Sequence, residues 1–236
     1  MEIPNTVHVL GFTKNPEAME RTIKEVERAG FKALPFWNFP TPYNDFLANN
    51  MLLCNIMRKK HSFLSCSLGH YAIWQTSKGL REDVTFVVED DCRFLKDIDV
   101  VHKTLANRPA DADILLLDSF GPHREGGVDD FIRERAQARN GWVKVSAARS
   151  MGCYIVGRRM RDSLISLTER GLGGKIERIC DQWLENARIP GVNIYCAVPN
   201  LAVQQVLPDI LKRNSSSGNL WKYKKQGTDH GQYADW

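Results

Sequence analysis

The run Val84-Thr-Phe-Val-Val88 is β-branched and apolar, without the alternation of a half-exposed strand. A strand of that composition is covered on both faces, and covering both faces of a sheet takes helices on each side. A second run, Ile114 to Leu117, repeats the requirement. Helical spacing supplies a covering element: Pro16 to Ala29 sets Met19, Ile23 and Val26 near one face and stops at Gly30. It stands between a strand at Thr6–Phe12 and a short one at Lys32–Phe36. Strand, helix, strand in that order predicts a parallel start to the sheet. The expected architecture is α/β and Rossmann-like, a central mostly parallel sheet flanked by helices.

Further along, Trp37 to Asn50 is rich in aromatic, Pro and Asn residues and reads as an irregular loop. Met51 to Gly79 reads as largely helical, with Leu64, Leu68, Tyr71, Ala72 and Gln75 on one face. Lys96 to Asn107 reads as a helix, Val143 to Ser146 and Cys153 to Gly157 as strands, and Arg158 to Arg170 as a helix. Gly171 to Gly174 breaks it, Ile176 to Asn186 reads as helical and Val192 to Val198 as a strand. Gly121 to Gly127 is a polar loop, and neither it nor Gly171 to Gly174 fits a P-loop or a dinucleotide fingerprint, which weakens kinase and dehydrogenase readings.

A chain of 236 residues, 43% of them hydrophobic, can bury a sizeable core. One large domain over residues 1–210 is expected, with a basic C-terminal segment over 211–236. In that segment Lys212, Arg213, Lys222, Lys224 and Lys225 gather around Trp221 and Tyr223. Such a tail could touch nucleic acid, grip the phosphates of a small nucleotide as a lid, or be a solvated end. The six cysteines contain no CxxC pair, and four sit in segments read as strand or helix interiors. Reduced, buried thiols are expected, and with them a cytoplasmic location, free or peripheral to a membrane. No apolar stretch approaches the roughly 20 residues that span a bilayer, and no signal-type segment opens the chain.

Ligands of open α/β sheets bind outside the carboxyl ends of the strands, and Glu89-Asp90-Asp91 occupies that place after Val88. Three successive carboxylates repel and resist desolvation unless a cation or an array of donors compensates them. Their hard oxygens suit magnesium or manganese. Capping by Asp90 or Asp91 of a helix starting near Phe94, or plain solvated charge, is the commoner use of such residues. Asp118, at the end of the second buried run, offers another acid to the same cleft. His70, one helical turn before Trp74, reads as a buried, hydrogen-bonded packing residue.

These features occur in one order: the segment Cys66 to His70 with Trp74, then Val87 to Asp91, Ala112 to Leu117, Gly152 to Val156, Asp181, and Ala197 to Pro199 with Gln204. In that order the chain resembles glycosyltransferase family 25, which includes lipooligosaccharide galactosyltransferases and the domain of collagen β-galactosyltransferases. It departs from the family in having Gly69 before the histidine and Phe63 and Leu64 where an acid is usual. The resemblance implies a GT-A nucleotide-sugar fold and an inverting, metal-dependent hexosyltransferase. Such an enzyme would use a UDP-sugar donor, manganese or magnesium, and a glycan, lipid-linked or protein-linked acceptor. On that reading Asp91, with Glu89 and His230, holds the metal. Glu89, Asp90, Arg149, Lys222 and Lys224 contact the donor, and Asp181, with Asp118 in reserve, takes the acceptor proton. A catalytically inactive nucleotide-sugar or carbohydrate-binding protein of the same fold is the alternative. Nucleic-acid binding ranks last, because an acidic cluster repels phosphate.

Overall fold

The computed structural model describes residues 2–12, 16–38, 61–121, 126–172 and 191–204. Strand β1 (Thr6–Phe12), helix α1 (Pro16–Arg28) and strand β2 (Lys32–Asn38) open the fold as the sequence predicts. Helix α2 (His61–Gly79) and strand β3 (Val84–Glu89) follow, then β4 (Cys92–Phe94), α3 (Ile98–Ala106) and β5 (Ile114–Leu116). Next come α4 (Gly127–Arg135), β6 (Trp142–Val145), β7 (Cys153–Gly157) and α5 (Arg158–Leu172), and β8 (Ile194–Ala197) and β9 (Ala202–Gln204) close it.

Seven strands form one sheet in the order β2-β1-β3-β7-β5-β8-β6, and β4 pairs with β9 in a separate two-stranded ladder. Pairing of β1 with β2 and β3, and of β5 with β8, is parallel; β7 runs antiparallel to both β3 and β5, and β6 antiparallel to β8. Five strands therefore point one way and β6 and β7 the other. Strand alternation splits the core between the two faces. Val84, Phe86 and Val88 of β3 and Cys153 and Ile155 of β7 pack with Met19 and Val26 of α1 and Val101 and Leu105 of α3. Val87, Tyr154 and Val156 face the other way, onto Ile73 and Trp74 of α2, Phe131 of α4 and Met160 and Leu164 of α5. Burying such a side chain fully contributes about 1.5–3 kcal/mol, so the double cover that Val84 to Val88 demands is what holds the layers together.

Three expectations are corrected. Residues 92–94 form strand β4, and α3 begins at Ile98 with Asp97 as its N-cap, its carboxylate accepting the Val100 amide at 3.2 Å. Asp90 and Asp91 therefore do not cap this helix: a turn and a strand separate them from it. The ends of β3 and β5 are not adjacent, because β7 lies between them. The inward face of α2 carries Ser67, His70, Trp74 and Ser77, while Tyr71, Ala72 and Gln75 are partly exposed. Polar partners in the sheet explain the last difference: Ser77 Oγ meets Thr85 Oγ1 at 2.5 Å, and His70 reaches Glu89. Among the described residues, no helix is long and apolar enough to cross a membrane.

Candidate functional site

The reversed direction of β7 builds the site. Its leading residues, Arg149 to Gly152, enter between the carboxyl ends of β3 and β5. The Glu89 amide donates to Gly152 O at 2.7 Å, and the Leu117 amide to Cys153 O at 2.9 Å. Strand β9 closes the same region: Leu201 N donates to Leu117 O at 2.8 Å, and the β4 ladder sets Cys92 opposite Gln204. Residues 89–92, 117–118, 149–153 and 201–204 thus meet at one edge. Gly152 permits that approach, since a Cβ there would stand 2.8 Å from Gln204 Cγ and 2.9 Å from Cys92 Sγ.

Each acid is held differently. Glu89 is the best satisfied: His70 Nε2 lies 3.0 Å and Cys66 Sγ 2.9 Å from its Oε1, and Gln204 Nε2 donates to its Oε2 at 2.7 Å. Burial pushes its carboxyl up, but the contacts with His70, Cys66 and Gln204 outweigh that and hold it below its ordinary value. Asp90 is fixed through the main chain. Its amide donates to Leu10 O at 2.8 Å, and its carbonyl accepts the Thr22 hydroxyl at 2.7 Å. The buried Arg93 guanidinium in turn donates to Thr22 at 2.8 Å. Gly11 leaves room for the Asp90 carboxylate, which would lie 3.1 Å from a Cβ at that position.

Asp91 and Asp118 carry the unmet demand. Asp91 Oδ1 and Asp118 Oδ1 are inaccessible to solvent and without a hydrogen-bond partner. Burial, then the charges of Glu89, Asp90 and Asp118, push the Asp91 carboxyl well up. Asp118 is pushed up to about 7 by burial, with Glu89 adding to the rise and the Ser150 hydrogen bond and the Arg135 charge opposing it. Ser150 Oγ donates to Asp118 Oδ2 at 3.0 Å and accepts the Gly152 amide at 3.2 Å, on a backbone with φ of 104°. That conformation is strained for a non-glycine residue, and the two hydrogen bonds of its hydroxyl hold it there. Arg135 anchors the far side by donating to Ala197 O at 3.1 Å and Asn200 Oδ1 at 3.0 Å.

Glu89, Asp90, Asp91 and Asp118 are therefore brought to one edge. Arg149 flanks it, bridged to Phe120 through the main chain, with its guanidinium 5.9 Å from that ring's centroid. Asp181, Lys222, Lys224 and His230 lie outside the described residues. Thr22, Arg93, Arg135 and Asn200 are supports that sequence reading missed. Thr22 and Asn200 are uncharged and Arg93 and Arg135 sit among other charged residues, so none of the four stands out locally. A cleft of about 800 Å³ opens at the opposite, amino end of the sheet, lined by Glu2, Thr6, Asp83, Asp113, Arg158 and Arg159 among others. Two of its acids are paired, Asp113 with Arg159 at 2.7 Å and Asp83 with Arg158.

No protein-family model matches the chain, and no curated protein matches it. Among solved structures it is similar to a glycosyltransferase involved in the glycosylation of the major capsid of PBCV-1, at 11% identity and a TM-score of 0.46, over 89% of this chain and 98% of that one. It is also similar to mouse xyloside xylosyltransferase 1 in its apo form, at 13% identity and a TM-score of 0.38, over 81% of this chain and 72% of that one.

Proposed function

We propose that this chain is an inverting, metal-dependent glycosyltransferase of GT-A type. It would move a hexose, galactose or glucose, from a UDP-sugar to a hydroxyl of a glycan or glycoconjugate. The observation that carries the reading is the pair of partnerless, inaccessible carboxylate oxygens, Asp91 Oδ1 and Asp118 Oδ1, at the carboxyl edge of the sheet. Leaving such oxygens unpaired is costly. A divalent cation with a preference for hard oxygen removes the cost, so the donor set fits Mn²⁺ or Mg²⁺. Asp91 is the proposed direct ligand, with His230 as a further ligand, and Glu89 adds its charge from the adjacent strand end. When bound, the cation would neutralise the charge that grows on the diphosphate as UDP departs.

The chain's own residues supply the rest. Thr22 and Arg93 hold the Asp90 main chain, and Asp90 is proposed as a donor contact. Arg149 is proposed to pair its guanidinium with a donor phosphate. Asp181 is the proposed base for the acceptor hydroxyl. Asp118, at about 7, can hold or release a proton near neutrality and is the reserve. Lys222 and Lys224 are proposed to close over the diphosphate. Release of UDP from UDP-galactose or UDP-glucose, with and without Mn²⁺, tests the reading. Turnover should need the metal and fall by about a hundredfold or more in Asp91→Asn. Full turnover in that variant would remove the proposal, and UDP binding without any turnover would favour the inactive binding protein.

A further inference from the structure

Hydrogen-bond chemistry fixes the direction of a buried chain that ends on Glu89. Trp74 Nε1 can only donate, and it donates to the Tyr154 hydroxyl at 2.9 Å. That hydroxyl lies 3.0 Å from His70 Nδ1, and His70 Nε2 lies 3.0 Å from Glu89 Oε1. An ionised carboxylate only accepts, so Nε2 carries the proton. The Tyr154 hydroxyl, which accepts from Trp74, has its own proton to give to Nδ1. All three side chains are fully buried, and His70 stacks on Trp74 with ring centroids 6.0 Å apart. None of them reorients without repacking the core. With Cys66 and Gln204 added, both oxygens of Glu89 are taken by protein donors, whereas Asp91 Oδ1 and Asp118 Oδ1 have none.

We propose that Trp74, Tyr154 and His70 are positioning residues of the acidic site: their chain holds Glu89 as a fixed, donor-filled carboxylate that does not ligate, leaving ligation in this cluster to Asp91. This rests on the reading of the cleft as a divalent-cation site. Glu89 acts there by position and by charge. Its amide is tied to Gly152 O and the next amide to Leu10 O, so anchoring its side chain also fixes the turn that carries Asp91. Its negative charge falls on both Asp91 and Asp118. It therefore adds to the potential that draws a cation while occupying no coordination position.

Mn²⁺ titration of the purified full chain, read by the resonance of the free ion and by Tm, tests this. Affinity should weaken about 10–100-fold in His70→Leu and roughly tenfold in Tyr154→Phe, which lets the imidazole proton move to Nδ1. In His70→Gln it should stay within about threefold of wild type, because the amide can donate to Glu89 and accept from Tyr154. Wild-type affinity in folded His70→Leu and Tyr154→Phe, at whatever Tm, would show that the chain serves packing alone and would overturn the proposal. If His70→Leu does not fold, Tyr154→Phe, which loses one oxygen, decides the question by itself. The ligating atoms of Cys66, His70 and Glu89 lie within 4.8 Å of one another. A thiolate-to-cobalt absorption on adding Co²⁺, abolished in Cys66→Ser, would put the cation in the Cys66, His70 and Glu89 cluster in place of the donors that hold Glu89, and would equally overturn it. Failure of the wild type to bind Mn²⁺ or Mg²⁺ would remove the cation site and this proposal together, whereas binding that survives in the variants removes only this proposal.

Discussion

Asp118 is the residue whose chemistry the fold changes most. Unfolded, its carboxyl titrates near its ordinary value of 3.8; folded, burial raises it to about 7. A carboxyl raised on folding favours the protonated native state. Its contribution is complete below pH 4 and is lost as pH rises through about 7. Without a divalent cation, the chain should lose up to roughly 4 kcal/mol of stability across that window on account of Asp118. Asp118→Asn keeps an oxygen for the Ser150 hydroxyl and should flatten the slope. Urea denaturation at several pH values would show this, and an unchanged slope in the variant would contradict the placement of Asp118. Gly152 makes a complementary case. A Cβ there would press on Gln204 and Cys92, so Gly152→Ala should cost about 1–3 kcal/mol and pull Gln204 away from Glu89. A variant as stable as wild type would show that β9 yields without cost.

At the scale of elements, the antiparallel insertion of β7 turns two separated strand ends into one site, because only a reversed strand delivers its preceding loop to the carboxyl edge. Helix α3 supplies the control. Its cap is Asp97, so Asp97→Ala should cost about 1 kcal/mol and leave the response to Mn²⁺ intact. Asp91→Asn should abolish that response and, in the absence of metal, raise stability by relieving the repulsion around Asp91. Thermal melts of the two variants would separate the roles, and a destabilised Asp91→Asn would restore Asp91 to a structural part. The strands were legible wherever β-branched residues ran together, as at Val84 to Val88 and Cys153 to Gly157. Helix α4 was not, since its polar sequence presents only a short apolar set around Phe131. Strands β4 and β9, three residues each, exist through their mutual pairing, which no local pattern records. The face of α2 misled because His70 and Ser77 point inward to hydrogen-bond Glu89 and Thr85, and hydrophobic periodicity does not count such residues.

For the molecule as a whole, the double-sided cover of β3 was readable from one segment, while the strand order and the reversal of β6 and β7 depend on long-range pairing. The acids of the site were likewise visible as residue types after buried runs. Their inequality was not. Glu89 is filled by donors from α2 and β9, whereas Asp91 and Asp118 keep bare oxygens, and that follows from the elements that surround each one. On the proposed function, these bare oxygens serve a divalent cation that in turn serves a nucleotide diphosphate. Thermal unfolding with UDP, with Mn²⁺ and with both measures it directly, because a ligand of the native state at a hundredfold excess over its Kd adds about 2.7 kcal/mol. Mn²⁺ should raise Tm, UDP should raise it further only when Mn²⁺ is present, and Asp91→Asn should show neither shift. Equal shifts in wild type and Asp91→Asn, or no response to any of the three additions, would contradict the account.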